Sequence, residues 1–159
     1  AHGMERVAII DFDVHHGNGT QAMFAADPSV LYASTHQMPL FPGTGAASET
    51  GAGNIFNAPL SPGEGTDCFR EAFTAKILPA LMNFRPDLVL ISAGFDAHHR
   101  DPLAEINLQA EDFAWVTGKL MDVADHSAQG RVVALPEGGY DPKGLAASAA
   151  AHIRQLMAA

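Results

Sequence analysis

Asp11, Asp13 and His15 stand at alternate positions in the run Asp11-Phe12-Asp13-Val14-His15-His16, directly after the apolar stretch Arg6–Ile10. In an extended chain, residues two and four apart project to one side, so Asp13 and His15 can converge on a single cation. A carboxylate oxygen and an imidazole nitrogen are ordinary zinc ligands, and three protein ligands leave a position open for water, the mark of a catalytic centre. The third ligand has a natural candidate in Asp96, which ends another apolar run in Gly94-Phe95-Asp96-Ala97-His98-His99. Two further runs end in groups of the same kind, Ser34-Thr35-His36 and Glu137-Gly138-Gly139-Tyr140. Tyr140 follows two glycines that permit a tight backbone path, and its phenol can donate to an oxyanion developing on a metal-bound carbonyl. Each residue also has a plainer reading: an Asp at a strand end often caps the next helix, a lone His is often a satisfied polar group, and a Tyr after Gly-Gly often packs. Four such clusters at four strand ends weigh against that reading, because open α/β sheets bind ligands outside the carboxyl ends of their strands.

The elements that must carry these residues follow from hydrophobic pattern. Arg6–Phe12, Val30–Ser34, Asp87–Ala93 and Arg131–Pro136 are short runs rich in Val, Ile and Leu without strict alternation, as expected of parallel strands covered on both faces. Between them, Thr66–Phe84 carries Phe69, Phe73, Ile77, Leu81 and Phe84 at helical spacing, with a kink or early stop predicted at Pro79. Gln109–His126 repeats the pattern through Phe113, Val116, Leu120 and Val123. A last helix is predicted from Asp141 as N-cap and Pro142 as first helical residue to about Met157. The Gly- and Pro-rich stretch from Gln37 to Gly65 predicts a long functional loop. Strands alternating with helices imply an α/β fold built on a parallel sheet.

Composition narrows the class. The chain has 159 residues with 9 basic and 18 acidic side chains, a net charge of −9, 47% apolar residues and 17% charged ones. That is the composition of one globular domain. The acidic balance argues against direct nucleic-acid binding, which needs basic patches to displace counterions. No apolar run reaches the roughly 18 residues of a membrane span. Residues 1–5 lead straight into the first strand, so no secretory leader is expected. Cys68 is the single cysteine, which precludes an internal disulfide and suits a cytoplasmic location.

Taken together, DFDVHHGNGTQ, STHQMPLFPGTG, SAGFDAH and PEGGYD resemble the histone deacetylase superfamily. The likeness is nearest to its bacterial class II-like and acetoin-utilisation-like members, with acetylpolyamine amidohydrolases close by, and runs from about Arg6 to the C-terminus. The resemblance implies a three-layer arginase/deacetylase-like α/β fold, with a mostly parallel sheet covered by helices on both faces. It implies Asp13, His15 and Asp96 as zinc ligands, Tyr140 as the donor to the acetyl carbonyl, and Phe41 as an aromatic wall of the acyl-lysine tunnel, with Gly138 and Gly139 beside the substrate. It also implies a monovalent cation, usually potassium, on the side chains of Asp11, Asp13 and Ser34 and the carbonyls of Asp11, His15 and Thr35. The implied reaction is zinc-assisted hydrolysis of acetyl-lysine or a related acylated amine.

One element of the family pattern is missing from the residues matched. The family's general base belongs to a Gly-His-His segment upstream of the Asp-x-His motif. His15-His16 lies inside that motif, and His98-His99 follows Asp96, so neither is that pair. The expectation is therefore that residues 1–159 form the C-terminal part of a single deacetylase catalytic domain, with no internal boundary, keeping the metal ligands and Tyr140 but lacking the base and part of the tunnel. Half of such a sheet leaves an edge strand and apolar helix faces uncovered, which predicts self-association or pairing with the N-terminal half. Two other readings compete. A ureohydrolase-like dimetal site would require an Asp at position 17 and a carboxylate at 98, where the chain has Gly17 and His98. A non-catalytic metal-binding or interaction module would be marked by degenerate motifs, whereas Asp13, His15, Asp96 and Tyr140 are all present.

Overall fold

The computed structural model describes residues 3–158. Five strands, Val7–Asp11 (β1), Val30–Gln37 (β2), Ile55–Leu60 (β3), Leu88–Ala93 (β4) and Val132–Pro136 (β5), form one sheet in the order β3-β2-β1-β4-β5. Every neighbouring pair is parallel. All five strands therefore deliver their carboxyl ends to the same edge. The chain leaves β1 towards β2 on one side and later returns to β4 on the other, so a topological switch point lies between β1 and β4. Open parallel sheets place their ligand crevices at such points.

Alternation along the strands divides the core between two faces. Ala8, Ile10, Leu31, Ala33, Val89 and Ile91 face the larger core, together with Phe69, Phe73, Phe113, Val116 and Leu120. These helical residues come from Thr66–Ala72 (α2), the turn that follows it, and Ala110–Ser127 (α4). Ile9, Val30, Tyr32 and Ile55 point to the other face, where Phe24 of Asn18–Phe24 (α1) packs. Helices thus pack on both faces, which is why the sequence reads as continuous apolar runs, although on the second face Val133 and Leu135 of β5 stay 47% and 51% exposed. Leu78–Phe84 (α3) and Pro142–Leu156 (α5) complete the set.

Two polar ties fix the helices to each other. Asp112 in the first turn of α4 is almost fully buried, and it accepts from Arg70 Nε at 3.0 Å, Thr66 Oγ1 at 2.8 Å and the Gln109 N–H at 2.9 Å. It therefore caps its own helix while holding α2. Thr117 Oγ1 and His152 Nδ1 lie 2.7 Å apart between α4 and α5.

The structure departs from the sequence reading in four places. The predicted loop from Gln37 to Gly65 contains a fifth strand, β3. Asn57 and Pro59 disguise it, since a proline cannot donate to a ladder and is tolerated only at a sheet edge, which is where β3 lies. Strand β2 runs on to Gln37, three residues past the expected end, because β3 pairs with it as far as Gln37↔Leu60. The short α1 was not expected, its start being weakened by Gly17 and Gly19. At Pro79 the expected early stop does not occur, and the helical irregularity lies just before it. A wide π-turn over Phe73–Ile77 joins α2 to α3, and it accommodates a proline ring that would crowd the carbonyl one turn back.

Phe113 of α4 packs against Phe12 and Phe95, with ring centroids 5.9 and 5.3 Å away. Phe12 lies between Asp11 and Asp13, and Phe95 precedes Asp96, so one aromatic cluster underlies both chemistry-bearing strand ends. Phe113→Ala is expected to lower stability by about 3–5 kcal/mol, the usual cost of emptying a buried aromatic site, read as a shift in the urea unfolding midpoint.

Candidate active site

Asp13 and His15 follow β1, Asp96 follows β4, and the crevice between these two strands brings them together. One ligand atom from each lies within 4.8 Å of the other two. His15 Nδ1 is 3.1 Å from Asp13 Oδ1 and 3.0 Å from Asp96 Oδ2. The remaining oxygen of each carboxylate is engaged by the backbone: Asp13 Oδ2 accepts from the Gly138 N–H at 2.9 Å, and Asp96 Oδ1 accepts from the Val14 N–H at 2.8 Å. Each acid is thereby oriented with one oxygen turned towards the imidazole, as outer hydrogen bonds orient metal ligands elsewhere.

The electrostatics call for a cation. Asp96 is fully buried, and burial first, then the neighbouring Asp13 carboxylate, raises its pKa. Two carboxylates and one nitrogen, oriented and short of positive charge, fit a divalent metal of the zinc type. Below them Asp11 is also buried, its carboxyl pushed up to about 7 by burial. Its oxygens accept from the Tyr32 hydroxyl at 2.9 Å and the Asp13 N–H at 3.1 Å. Ser34 sits beside Asp11 in the sheet register, and both Ser34 and Thr35 are buried. Oxygen donors around a buried acid suit a hard monovalent cation, although Ser34 Oγ lies 2.8 Å from His36 Nδ1.

The cleft above these ligands has a volume of about 640 Å³, and Phe41, Leu103, Pro136, Gly138 and Tyr140 are among its lining residues. Desolvation, then the Asp96, Asp13 and Asp101 carboxylates, hold the Tyr140 phenol above its usual pKa, so it remains a proton donor. Gly138 is dictated by close approach. A Cβ there would collide with the Asp96 carboxylate and come within 2.8 Å of Asp13 Oδ2. Gly139 has φ +156°, a value that favours glycine.

The tandem histidines are placed otherwise. His16 is buried, its ring nitrogens 2.7 Å from Thr44 Oγ1 and 2.9 Å from Gln21 Oε1. His98 is buried and accepts from the Arg100 N–H, and neither His98 nor His99 lines the cleft. Gly17 has no space for a side chain: a Cβ would lie 2.5 Å from Asp11 Oδ2 and 2.6 Å from the Tyr32 hydroxyl. The aspartate that a dimetal ureohydrolase needs at position 17 is thus excluded by packing as well as by sequence.

A family model for the histone deacetylase domain matches residues 1–156. The chain belongs to the histone deacetylase family. It is 44% identical over 144 residues to a histone deacetylase-like amidohydrolase of Pseudomonas aeruginosa, covering 87% of this chain and 38% of that protein. It is 43% identical over 160 residues to histone deacetylase 10, chloroplastic, of Oryza sativa subsp. japonica, covering 98% of this chain and 36% of that one. The crystal structure of the HDA15 HD domain superposes with a TM-score of 0.92 at 40% identity, over 99% of this chain and 46% of that chain. The layered α/β architecture is therefore the arginase/deacetylase fold, and this chain spans 50%, 36% and 38% of three curated relatives it matches, and less of others.

Sequence reasoning missed Leu103 and Asp101. Leu103 lines the cleft from an irregular segment whose position only tertiary structure reveals, and Asp101 carried no signal beyond an Asp-Pro turn.

Two outcomes are expected. Gly138→Ala should abolish stoichiometric zinc binding while leaving far-UV circular dichroism unchanged, as measured by metal analysis after dialysis. The contribution of the buried histidines to stability should also fall with acid. Burial holds the His36 pKa at about 4 against an ordinary 6.5, and lowers those of His98 and His152. At these histidines the unfolded chain binds more protons below pH 6.5, so their contribution, present above that value, is lost as pH falls towards 4, by about 3 kcal/mol for His36 alone. The raised Asp11 and Asp96 carboxyls act in the opposite direction over the same range. Urea midpoints measured across pH 4–7 for the parent and for His36→Gln isolate that contribution: the stability of the parent relative to the variant should fall by about 3 kcal/mol from pH 7 to pH 4.

Proposed function

We propose that this chain carries the metal centre of a zinc-dependent amidohydrolase that removes the acetyl or another acyl group from acetyl-lysine or a related acylated amine. The observation that carries this reading is the convergence of Asp13, His15 and Asp96 beneath a cleft that also holds Tyr140. Zinc supplies Lewis acidity to an acyl carbonyl and lowers the pKa of a bound water. Asp13, His15 and Asp96 would hold the metal, and the two carboxylates would offset its charge. Tyr140 donates its O–H to the carbonyl oxygen as that oxygen gains charge, a contribution realised mainly in the transition state. Phe41 and Leu103, 80% and 53% exposed, offer apolar walls for a slender alkyl chain leading to the scissile amide.

Asp11, Asp13 and Ser34, with the carbonyls of Asp11, His15 and Thr35, are the proposed potassium site. A cation there offsets the uncompensated charge of Asp11, whose perturbing neighbours are Tyr32, Asp13 and Glu137, none of them basic. We assign the general base to a part of the catalytic domain outside these residues, since His16 is engaged on both nitrogens and His98-His99 stands away from the cleft. Residues 1–159 are then the C-terminal part of one catalytic domain. The unpaired outer edge of β5, and the sheet face beside it on which Val133 and Leu135 are 47% and 51% exposed, are the proposed surface for the remainder.

The test is acetate release from an acetyl-lysine peptide by the zinc-loaded catalytic domain. Tyr140→Phe should lower kcat by about 10²–10³-fold, the cost of losing one oxyanion donor, with zinc still bound at one per chain. Full activity in that variant would remove the phenol from the mechanism, and no acetate release from the parent domain would overturn the reaction class.

A further inference from the structure

The hydroxyl assigned to the oxyanion sits on a segment with little stiffness of its own. Gly138 and Gly139 precede Tyr140, and glycine leaves a backbone its widest conformational range. The Tyr140 side chain is 54% exposed, so packing alone does not hold it. What holds it is the backbone. The Tyr140 N–H donates to Asp101 Oδ2 at 2.8 Å, and Asp101 Oδ1 accepts from the Leu103 N–H at 3.0 Å. Asp101 is buried, 7% exposed, and its own N–H donates to the His98 carbonyl at 2.8 Å. A single buried carboxylate therefore spends both oxygens on the backbone of two residues that line the cleft. Burying an acid is unfavourable unless it is hydrogen-bonded, and here the bonds go to Tyr140 and the cleft wall.

The neighbouring contacts close the same clasp. Gly138 is fixed on the other side of the glycine pair, its N–H to Asp13 and its carbonyl accepting from the Phe95 N–H at 2.6 Å. Beyond Tyr140, Asp141 Oδ1 accepts from Arg100 Nε at 2.9 Å and from the Gly144 N–H at 2.7 Å, capping α5. Between Gly139 and that cap, Asp101 is what ties Tyr140 itself.

We propose that Asp101 is a positioning residue that locks the Tyr140 hydroxyl over the metal ligands and the Leu103 wall beside it as one rigid unit. The role rests on Tyr140 being the oxyanion donor. Oxyanion donors act only when they are already aimed at the place where charge develops, and small misplacements are expensive. An amide at 101 keeps one acceptor but turns its NH₂ group towards the second N–H.

The experiment combines Asp101→Ala and the isosteric Asp101→Asn with Tyr140→Phe in the zinc-loaded catalytic domain. Asp101→Ala should lower kcat about tenfold to a hundredfold, and Asp101→Asn by less, with zinc at one per chain in both. In the Tyr140→Phe background neither change should lower kcat by more than about twofold, because the two residues act as a unit. Amide hydrogen exchange at Tyr140 and Leu103 should accelerate about tenfold or more, while the Val14 and Gly138 amides keep their protection. Equal kcat losses in both backgrounds, or unchanged exchange at Tyr140 and Leu103, would overturn the proposal. Full activity in Tyr140→Phe would overturn the role of the phenol instead, and the exchange rates separate that failure from this one.

Discussion

Two carboxylates of like charge must be held side by side in a partly buried crevice, and most of the architecture follows from that requirement. Asp13 and Asp96 repel one another, and burial penalises the charged form of Asp96 further. Left to themselves, such groups would swing apart or take up protons. Their separation is instead set by backbone N–H donors: Val14 holds one oxygen of Asp96, and Gly138 holds one oxygen of Asp13. Each donor comes from a different strand end, so each acid is positioned by a strand other than its own.

That arrangement explains why the site lies where it does. A parallel sheet brings strand ends to one edge, but only at the switch between β1 and β4 do two strands part their following loops and leave a crevice. Phe12 and Phe95 reach from those strands into the same aromatic cluster with Phe113, so the hydrophobic core itself sets the spacing of the segments that carry Asp13, His15 and Asp96. The cost of crowding charge at the edge is met by apolar packing directly beneath it.

Around this rigid base the cleft is assembled from irregular chain. Glu49 accepts from the Gly45 and Ala46 N–H groups and shapes the turn that follows Phe41. Asp101 ties Leu103 to Tyr140. Acids accepting backbone N–H bonds thus recur at each level, first at half-buried Asp13 and buried Asp96 and then at Asp101. The relatives that share the fold are longer than this chain, and β5 ends the sheet with an unpaired edge.

Much was legible from residue order alone. Four of five strands, the long helices and the Asp141 cap could be read because burial on both sheet faces and helical periodicity are local patterns. Asp13, His15, Asp96 and Tyr140 could be singled out because each ends an apolar run, and parallel strands must end together. What stayed hidden depended on partners distant in sequence. Strand β3 forms because β2 offers it an edge, despite Asn57 and Pro59. The π-turn at Phe73–Ile77 relieves a proline that the pattern suggested would break the helix. Asp101 acquires its place only when Tyr140 is brought beside it from 39 residues away. The sequence by itself determined which groups could do chemistry and on which sheet edge they lie. Tertiary structure alone decided which carboxylate oxygens face His15 and what holds the phenol, because those depend on hydrogen bonds between segments that local pattern does not encode.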